Sequence, residues 1–171
     1  MGSPIIRDMA AADVESILEF NSDAVPAVSS LDNAGLEALV VQARCVLVAE
    51  DDFGPCGFLI GLGPGCRYAS ENYAWFSQRY EEFNYVDRIV VAQRSRSEGI
   101  GENLYDIFAA DARSRGVGVM LAEVNTRPLN EGSLRFHARY GFVEVGAQDT
   151  EGGTKSVAML EWQVGRAAVD A

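Results

Sequence analysis

The residues best suited to chemistry lie in a loop that could hold an anion. The segment from Val91 to Gly101 joins an apolar strand to the start of an amphipathic helix. It carries two arginines and two glycines, Arg94, Arg96, Gly99 and Gly101. The first turn of a helix has unpaired backbone N–H groups and the positive end of the helix dipole. Because glycine lets a ligand approach the backbone and arginine can offset its charge, the segment indicates a site for a diphosphate.

Two nucleotide-binding motifs fail to match this loop. The phosphate-binding loop of nucleoside triphosphatases requires Gly-Lys-Ser/Thr, and no Lys follows Gly101. The dinucleotide fingerprint requires a third glycine three residues further on, where Leu104 stands. A nucleotide-binding α/β domain is therefore disfavoured. For the glycine pair alone, an ordinary strand-to-helix turn remains the alternative.

The loop resembles the acyl-CoA-binding motif of the GNAT superfamily of N-acetyltransferases. That motif runs Arg-x-x-Gly-x-Gly after a strand that ends in Val. The matching residues are Val91, Arg96, Gly99, Ile100 and Gly101. Two positions depart from it, since Gln93 stands where Pro is usual and Ser97 where Gly is usual. Neither departure removes a backbone N–H group, so the resemblance still predicts a cradle for the diphosphate.

A second segment, Asn130 to Phe142, resembles the last helix of the same family. It shows Asn-x-x-Ala/Ser, then an aromatic pair, then Gly-Phe. The resemblance extends from Ile5 to about Trp162, and its motifs are specific between Val86 and Phe142. It implies an N-acetyltransferase that moves an acetyl group from acetyl-CoA to a primary amine by direct attack in a ternary complex. The alternative is an acyl-CoA-binding or sensing domain of the same fold that does not turn the ligand over.

The resemblance implies that acetyl-CoA is the cofactor and that two segments contact it. The strand 89–91 would pair with the pantetheine amides as an added strand does. The backbone N–H of Val90 or a neighbour would polarise the thioester oxygen. Asn130 would bond the pantetheine arm, a role compatible with capping the helix that follows. The residues implied in cofactor binding are Ile89, Val90, Val91, Arg94, Arg96, Ser97, Glu98, Gly99, Ile100, Gly101, Asn125, Asn130, Ser133, Phe136 and His137.

The resemblance also implies the catalytic groups. Glu123 is the first candidate for the base, because several family members use a Glu on that strand, usually through a water. Asp87 is the second, because it shares a strand face with Ile89. His137, the only His of the chain, stands where the family usually has a Tyr as acid. An imidazole of ordinary pKa can donate a proton near neutrality, but His137 could equally bind the CoA sulfur or pack. Thiolate is a tolerable leaving group without an acid. Cys56 and Cys66 are poor nucleophile candidates, since no His stands near either of them in sequence.

An aromatic stretch between residues 68 and 85 is the candidate acceptor site. The predicted substrate-binding residues are Tyr73, Trp75, Phe76 and Tyr85. The alternative is a small satellite core. An aromatic wall and the formal net charge of −11 suit a cationic amine. A small amine, an aminoglycoside-like cation and a peptide N-terminus all remain open as acceptors.

The elements that must position these residues form an α/β pattern in which short apolar runs alternate with amphipathic runs. Strands are predicted at 4–8, 45–49, 56–60, 86–91, 117–124, 142–145 and 156–162. Helices are predicted at 9–20, after an Asp32 cap, from Gly99 to about 115, and at 130–139. With the resemblance, this predicts an α+β fold with a mixed, mostly antiparallel central sheet of six to seven strands and about four helices. The resemblance adds a splayed pair of parallel strands that holds acyl-CoA.

Length and composition limit the remaining possibilities. A chain of 171 residues predicts one acetyltransferase domain, with a core at about 4–164 and a loose tail at 165–171. The acidic balance disfavours nucleic acid, and no apolar run is long enough for a membrane span. Three cysteines without close pairing and no visible signal peptide predict a cytoplasmic protein. No metal site is expected. A homodimer is compatible with the resemblance, because dimers are common in the family.

Overall fold

The computed structural model describes residues 3–165 of the chain. Within these residues the seven strands, β1 to β7, are Ile5–Asp8, Cys45–Asp51, Gly54–Leu62, Asn84–Val91, Val119–Arg127, Val143–Thr150 and Lys155–Gln163. The five α-helices, α1 to α5, are Val14–Ala24, Asn33–Gln42, Glu71–Ser77, Ile100–Ser114 and Glu131–Tyr140.

The strands form a mixed sheet with the order β1-β2-β3-β4-β5-β7-β6. Antiparallel pairing joins β1 to β2, β2 to β3, β5 to β7 and β7 to β6. Parallel pairing joins β4 to β5 through Asn84 with Met120 and Tyr85 with Leu121. The predicted fold class is therefore confirmed: a mixed, mostly antiparallel sheet of seven strands with one parallel pair. The helices number five in the described chain, against about four predicted.

The chain divides into two compact units. Unit 1 comprises residues 3–62 and 86–108 of the described chain, and unit 2 comprises residues 63–85 and 109–165. The organisation as a single domain stays a prediction.

Unit 1 is built on β1 to β3, most of β4, helices α1 and α2, and the first half of α4. Both α1 and α2 contact β3, and they bury apolar side chains such as Ile17, Leu36 and Leu39. On β3, a Cβ atom at Gly61 would lie 2.4 Å from Cζ of the buried Phe108. Glycine is therefore required at Gly61 for α4 to pack this closely on the strand.

Unit 2 is built on β5, β7, β6, helices α3 and α5, and the first residues of β4. The aromatic stretch predicted from the sequence contains α3, which was not predicted. Its start is marked by Ser70, whose side chain accepts a hydrogen bond from the backbone N–H of Tyr73. Side chains of Asp32 and Asn130 cap α2 and α5 in the same way, so the predicted cap at Asp32 is confirmed.

Several predicted boundaries were wrong by a few residues. Helix α1 continues to Ala24, into residues predicted as loop, and β5 continues to Arg127. Strand β6 reaches Thr150 although most of its side chains are exposed. Backbone pairing with β7 extends β6 where side-chain hydrophobicity gives no signal. The tail predicted at 165–171 lies outside the described residues from position 166 onward.

Among the described residues, the helices are too short or too polar to cross a membrane. In the same part of the chain, no His, Cys, Asp and Glu side chains are grouped closely enough to hold a metal ion.

Candidate active site

The predicted diphosphate loop follows β4 in unit 1. Residues Gln93–Ser95 form a short 3-10 turn, and α4 begins at Ile100. Between them, Ser97 has φ +66° and Gly99 has φ +79°. Left-handed residues in a turn direct successive backbone N–H groups into a concavity that suits an anion. Residues 96–99 are exposed, and apart from Gly99 itself and the residues next to it in the chain, no heavy atom lies within 4 Å of the Cβ position of Gly99. The backbone here is open to a ligand.

The two arginines of the loop have different partners. Nη1 of Arg94 pairs with Oδ2 of Asp51, and Nη2 donates to the Pro55 carbonyl at 3.0 Å. The hydrogen bond from Arg94 holds the pKa of Asp51 below its usual value. Arg96 is exposed and its Nε donates to the Val91 carbonyl at 3.4 Å. Because a carboxylate already offsets the charge of Arg94, Arg96 is the better candidate for a diphosphate.

Strand β4 carries a buried ion pair directly before residues 89–91, the part of β4 that is predicted to pair with the cofactor. Nε of Arg88 lies 2.7 Å from Oδ2 of Asp87, and both side chains are almost fully buried. Arg88 also donates to Oδ1 of Asn21 at 2.8 Å and to the Ser29 carbonyl at 3.1 Å. Oδ2 of Asp87 is occupied by Arg88, and the side chain has almost no exposed surface through which an amine could reach it. The role of Asp87 as base stays a prediction, and this contact weighs against it.

Glu123 and Tyr85 meet in unit 2. The hydroxyl of Tyr85 donates to Oε1 of Glu123 over 2.9 Å. Tyr85 pairs with Leu121 in the parallel register, so Glu123 lies two residues further along β5 on the same face. Tyr85 is fully buried and Glu123 is half-buried. Tyr85 was predicted to contact the substrate, and its bond to Glu123 was not predicted.

His137 lies inside unit 2 among aromatic rings. It is 3% exposed, and its ring packs edge-on against Phe136 and Phe142 at centroid distances of 5.2 and 5.1 Å. Its Nδ1 lies 2.8 Å from the Ser133 carbonyl oxygen. That oxygen can only accept, so we assign the proton of the neutral ring to Nδ1. Burial lowers the pKa of His137 to about 4. The ring is therefore neutral at pH 7, which weighs against the predicted acid role.

The other residues predicted to bind the cofactor downstream of β5 have local structural roles. Oδ1 of Asn130 accepts from the Ser133 N–H at 3.2 Å, and the Asn125 carbonyl accepts from the Asn130 N–H at 3.0 Å. The amide N–H groups of Asn130 take no part in the capping bond. Phe136 is half-buried, and its ring packs against Tyr140 at 6.5 Å. Their contacts with a cofactor stay predictions.

The aromatic stretch forms a packed cluster in unit 2. Tyr73, Phe76 and Tyr85 are at most 4% exposed, so direct contact with a substrate is not available to them in this structure. The satellite-core alternative describes these three side chains better. Trp75 is half-buried, with Arg79 stacked 3.7 Å from its ring centroid. A Cβ at Gly146 would lie 2.5 Å from this ring. Of the predicted set, Trp75 alone keeps surface for an acceptor.

Cys56 is not an alternative nucleophile. The side chain is fully buried in unit 1, and burial raises the pKa of its thiol to about 11. The neutral thiol is a poor nucleophile.

The comparisons with known proteins decide the family. The family model of the Acetyltransferase (GNAT) family matches residues 22–142, which is well over half of the chain. The chain belongs to the GNAT acetyltransferase family. A search of curated protein sequences finds no match for this GNAT acetyltransferase.

Three solved structures share the fold of this chain over nearly its whole length. Ard1 from Thermoplasma volcanium is 18% identical, with a TM-score of 0.78 over 96% of this chain and 100% of that chain. The yncA structure from Salmonella typhimurium, solved with its cofactor acetyl-CoA, is 21% identical, with a TM-score of 0.70 over 99% of both chains. The ribosomal-protein-S18-alanine N-acetyltransferase of Escherichia coli is 13% identical, with a TM-score of 0.69 over 98% of both chains. At these identities the likeness shows the fold alone.

Proposed function

We propose that this GNAT acetyltransferase moves an acetyl group from acetyl-CoA to a primary amine by direct attack in a ternary complex. The family match over residues 22–142 is the observation that carries the proposal. Acetyl-CoA is the cofactor that this family membership supports, and a neighbour of the same fold was solved with it.

The loop after β4 fits the diphosphate of this cofactor. Its backbone is exposed at residues 96–99, and left-handed φ at Ser97 and Gly99 opens the turn. Arg96 supplies an exposed positive charge, while Glu98 adds an exposed negative one. Backbone N–H groups at the start of α4 would bind the phosphate oxygens. The strand 89–91 would pair with the pantetheine amides.

Glu123 is the base in this proposal. Acetyl-CoA supplies the acetyl group as a thioester, and the acceptor amine must lose a proton before it can attack. A carboxylate on β5, half-buried and held by a hydroxyl donor, can accept that proton directly or through a water. General base catalysis of this kind typically contributes about 10²–10⁴-fold.

In the proposed mechanism His137 donates no proton, and its role is packing against the neighbouring rings. At neutral pH its one ring proton is bonded to the Ser133 carbonyl, and its pKa of about 4 prevents a second proton from binding. The CoA thiolate then leaves without acid assistance.

The acceptor we propose is a cationic amine. The formal net charge of −11 attracts cations over distances of about a Debye length. The half-buried ring of Trp75 carries a guanidinium already, which shows that the ring can stack with a cation. The chemistry is compatible with a polyamine, an aminoglycoside or a peptide N-terminus.

The test is an acceptor screen that measures thiol release from acetyl-CoA. Spermidine, kanamycin and a hexapeptide with a free N-terminal alanine represent the three acceptor classes. With the best acceptor, Glu123→Gln should lower kcat by about 10²–10⁴-fold near neutral pH. The deficit should shrink at high pH, where free amine becomes abundant.

Glu161→Gln is the matched control. Glu161 lies in the same unit, on β7 opposite Leu121, and its Oε2 accepts a hydrogen bond from the Tyr80 hydroxyl at 2.5 Å. Like Glu123→Gln, this variant removes one negative charge and replaces the carboxylate that accepts from a tyrosine hydroxyl by an amide. It should turn over at the parent rate. Parent kcat in Glu123→Gln at every pH would contradict the base assignment. Acetyl-CoA binding by calorimetry without turnover of any amine would support the sensing domain instead.

A further inference from the structure

The bond between Tyr85 and Glu123 joins a fully buried residue to the proposed base. Tyr85 cannot touch an acceptor, because its side chain has no exposed surface. Its hydroxyl nevertheless reaches Oε1 of Glu123 over 2.9 Å. A side chain buried to this extent affects the reaction only through the group that it holds.

The Tyr85 ring is itself held firmly. It packs against the rings of Tyr73 and Phe76 at centroid distances of 5.5 and 5.7 Å. Tyr73 is fixed in turn, since its hydroxyl donates to the Gly63 carbonyl at 2.6 Å and accepts from the Cys66 N–H at 3.0 Å. The phenolic oxygen of Tyr85 therefore occupies a defined point beside β5.

A glutamate carboxylate needs such a fixed partner. The last torsion of a Glu side chain has a broad energy profile, so its oxygens take many orientations unless a donor holds one of them. A proton acceptor works at full efficiency only when it is held within a fraction of an ångström of its working position.

We propose that Tyr85 is a positioning residue that orients the Glu123 carboxylate for proton transfer from the acceptor amine. This inference rests on the proposed function, in which Glu123 is the base. It replaces the substrate contact predicted for Tyr85 from the sequence. In the reaction the C–N bond forms at the acetyl carbon and the C–S bond to CoA breaks, so that CoA leaves as a thiolate. The acceptor ammonium gives one proton to Glu123, directly or through a water, before it attacks. A second proton passes from the nitrogen to solvent after the C–N bond forms, and Tyr85 keeps its own.

Unit 2 contains a second Tyr–Glu hydrogen bond that serves as a control. The hydroxyl of Tyr80 donates to Oε2 of Glu161 at 2.5 Å. Burial and this bond raise the pKa of Tyr80 to about 12, so its hydroxyl stays protonated. Removing the hydroxyl of Tyr80 breaks a Tyr–Glu bond of the same kind without touching the proposed base.

The experiment compares Tyr85→Phe, Glu123→Gln and the double variant, with the acceptor that gives the highest rate among spermidine, kanamycin and the hexapeptide. Tyr85→Phe should lower kcat by about tenfold or more and leave the KM for acetyl-CoA unchanged. The double variant should be no slower than Glu123→Gln, because the hydroxyl has no base left to orient. Tyr80→Phe should keep the parent kcat.

A second variant keeps the test decisive if Tyr85→Phe does not fold, as judged by circular dichroism and thermal unfolding. Glu123→Asp retains a carboxylate but withdraws it by one methylene from the Tyr85 hydroxyl. It should also lose about tenfold or more in kcat and leave the KM for acetyl-CoA unchanged.

The outcomes separate the two proposals. If Glu123→Gln is slow while Tyr85→Phe or Glu123→Asp turns over at the parent rate, the positioning role of Tyr85 is wrong and the base assignment stands. Fully multiplicative losses in the double variant would also overturn the positioning role. If Glu123→Gln itself turns over at the parent rate, the base assignment is wrong, and the role of Tyr85 falls with it.

Discussion

Replacing His137 with Phe removes the only imidazole of the chain from an aromatic environment. The variant keeps a planar ring next to Phe136 and Phe142 but cannot titrate. Because there is one His, any change in stability that depends on an imidazole must come from this position. The comparison between the parent protein and His137→Phe therefore measures how much free energy of unfolding the buried imidazole loses as the pH falls.

The structure sets the sign and the size of this effect. Burial lowers the pKa of His137 from 6.5 to about 4, so the unfolded chain binds the proton more tightly than the folded protein. The contribution of the neutral, buried His137 ring to the free energy of unfolding is therefore fully present above pH 6.5, and it is lost as the pH falls towards 4. The linkage relation predicts a loss of about 0.8 kcal/mol at pH 6 and about 2 kcal/mol at pH 5. The full difference is about 3 kcal/mol.

Two measurements check this prediction on protein that carries no added histidines. The single pair of imidazole C–H resonances in an NMR titration should move with a midpoint near 4. Denaturant unfolding at pH 7, 6 and 5 should show a steeper fall in the free energy of unfolding for the parent than for His137→Phe. The relevant quantity is the difference in slope, because the substitution also changes packing.

An NMR midpoint near 6.5, or identical pH slopes in the two proteins, would refute the reasoning. Either result would mean that His137 takes up a proton in the folded state near neutrality. An acid role toward the CoA sulfur would then become available again. A midpoint near 4 leaves about one ring in a thousand protonated at pH 7, too few to assist a leaving group.

Three further predictions concern the loop and the sheet. Ser97→Gly should raise the melting temperature in calorimetry by about 2 °C, because relief of left-handed strain slightly exceeds the extra unfolded-state entropy of Gly; a lower melting temperature would contradict this. Glu98→Gln should tighten acetyl-CoA binding about threefold at low salt and less at high salt; an unchanged Kd would place the diphosphate elsewhere. Gly61→Ala should lower the free energy of unfolding by about 1–3 kcal/mol, because the new Cβ lies 2.4 Å from Cζ of Phe108. Gly118→Ala is its control and should be near neutral in denaturant unfolding, because apart from Gly118 itself and the residues next to it in the chain no heavy atom lies within 4 Å of the added Cβ.

Local patterns made much of the fold predictable. The helical spacing of apolar residues and the caps at Asp32 and Asn130 act over three or four residues, so the sequence alone shows them. The Arg-x-x-Gly-x-Gly spacing led to the family, which the match over residues 22–142 confirmed. Even the departure at Ser97 has a counterpart in the backbone, since this position has φ +66°, a conformation that favours glycine.

The ends of the strands and helix α3 were less predictable. A strand can be extended by backbone hydrogen bonds to its neighbour, and the pattern of apolar and polar side chains does not report those bonds. Strand β6 pairs with β7 over its length while most of its side chains face solvent. The aromatic stretch contained a usable signal for α3, the Ser70 side chain three residues before Tyr73. Its density of rings suggested a binding surface, but rings that pack on one another in the core have the same composition as rings that line a pocket.

The tertiary structure alone decided which partner each candidate side chain meets. Arg94 binds Asp51, 43 positions away, and Tyr85 binds Glu123, 38 positions away. Residue type determined that Arg94 is a cation and Glu123 a carboxylate. Whether the charge of Arg94 is already offset, and whether the carboxylate of Glu123 is held, depends on chain segments brought together by the sheet. The same holds for His137, whose sequence position suggested an acid. Its surroundings of Phe136, Phe142 and the Ser133 carbonyl exclude water from the ring, and without water the charged form is too costly to serve at neutral pH.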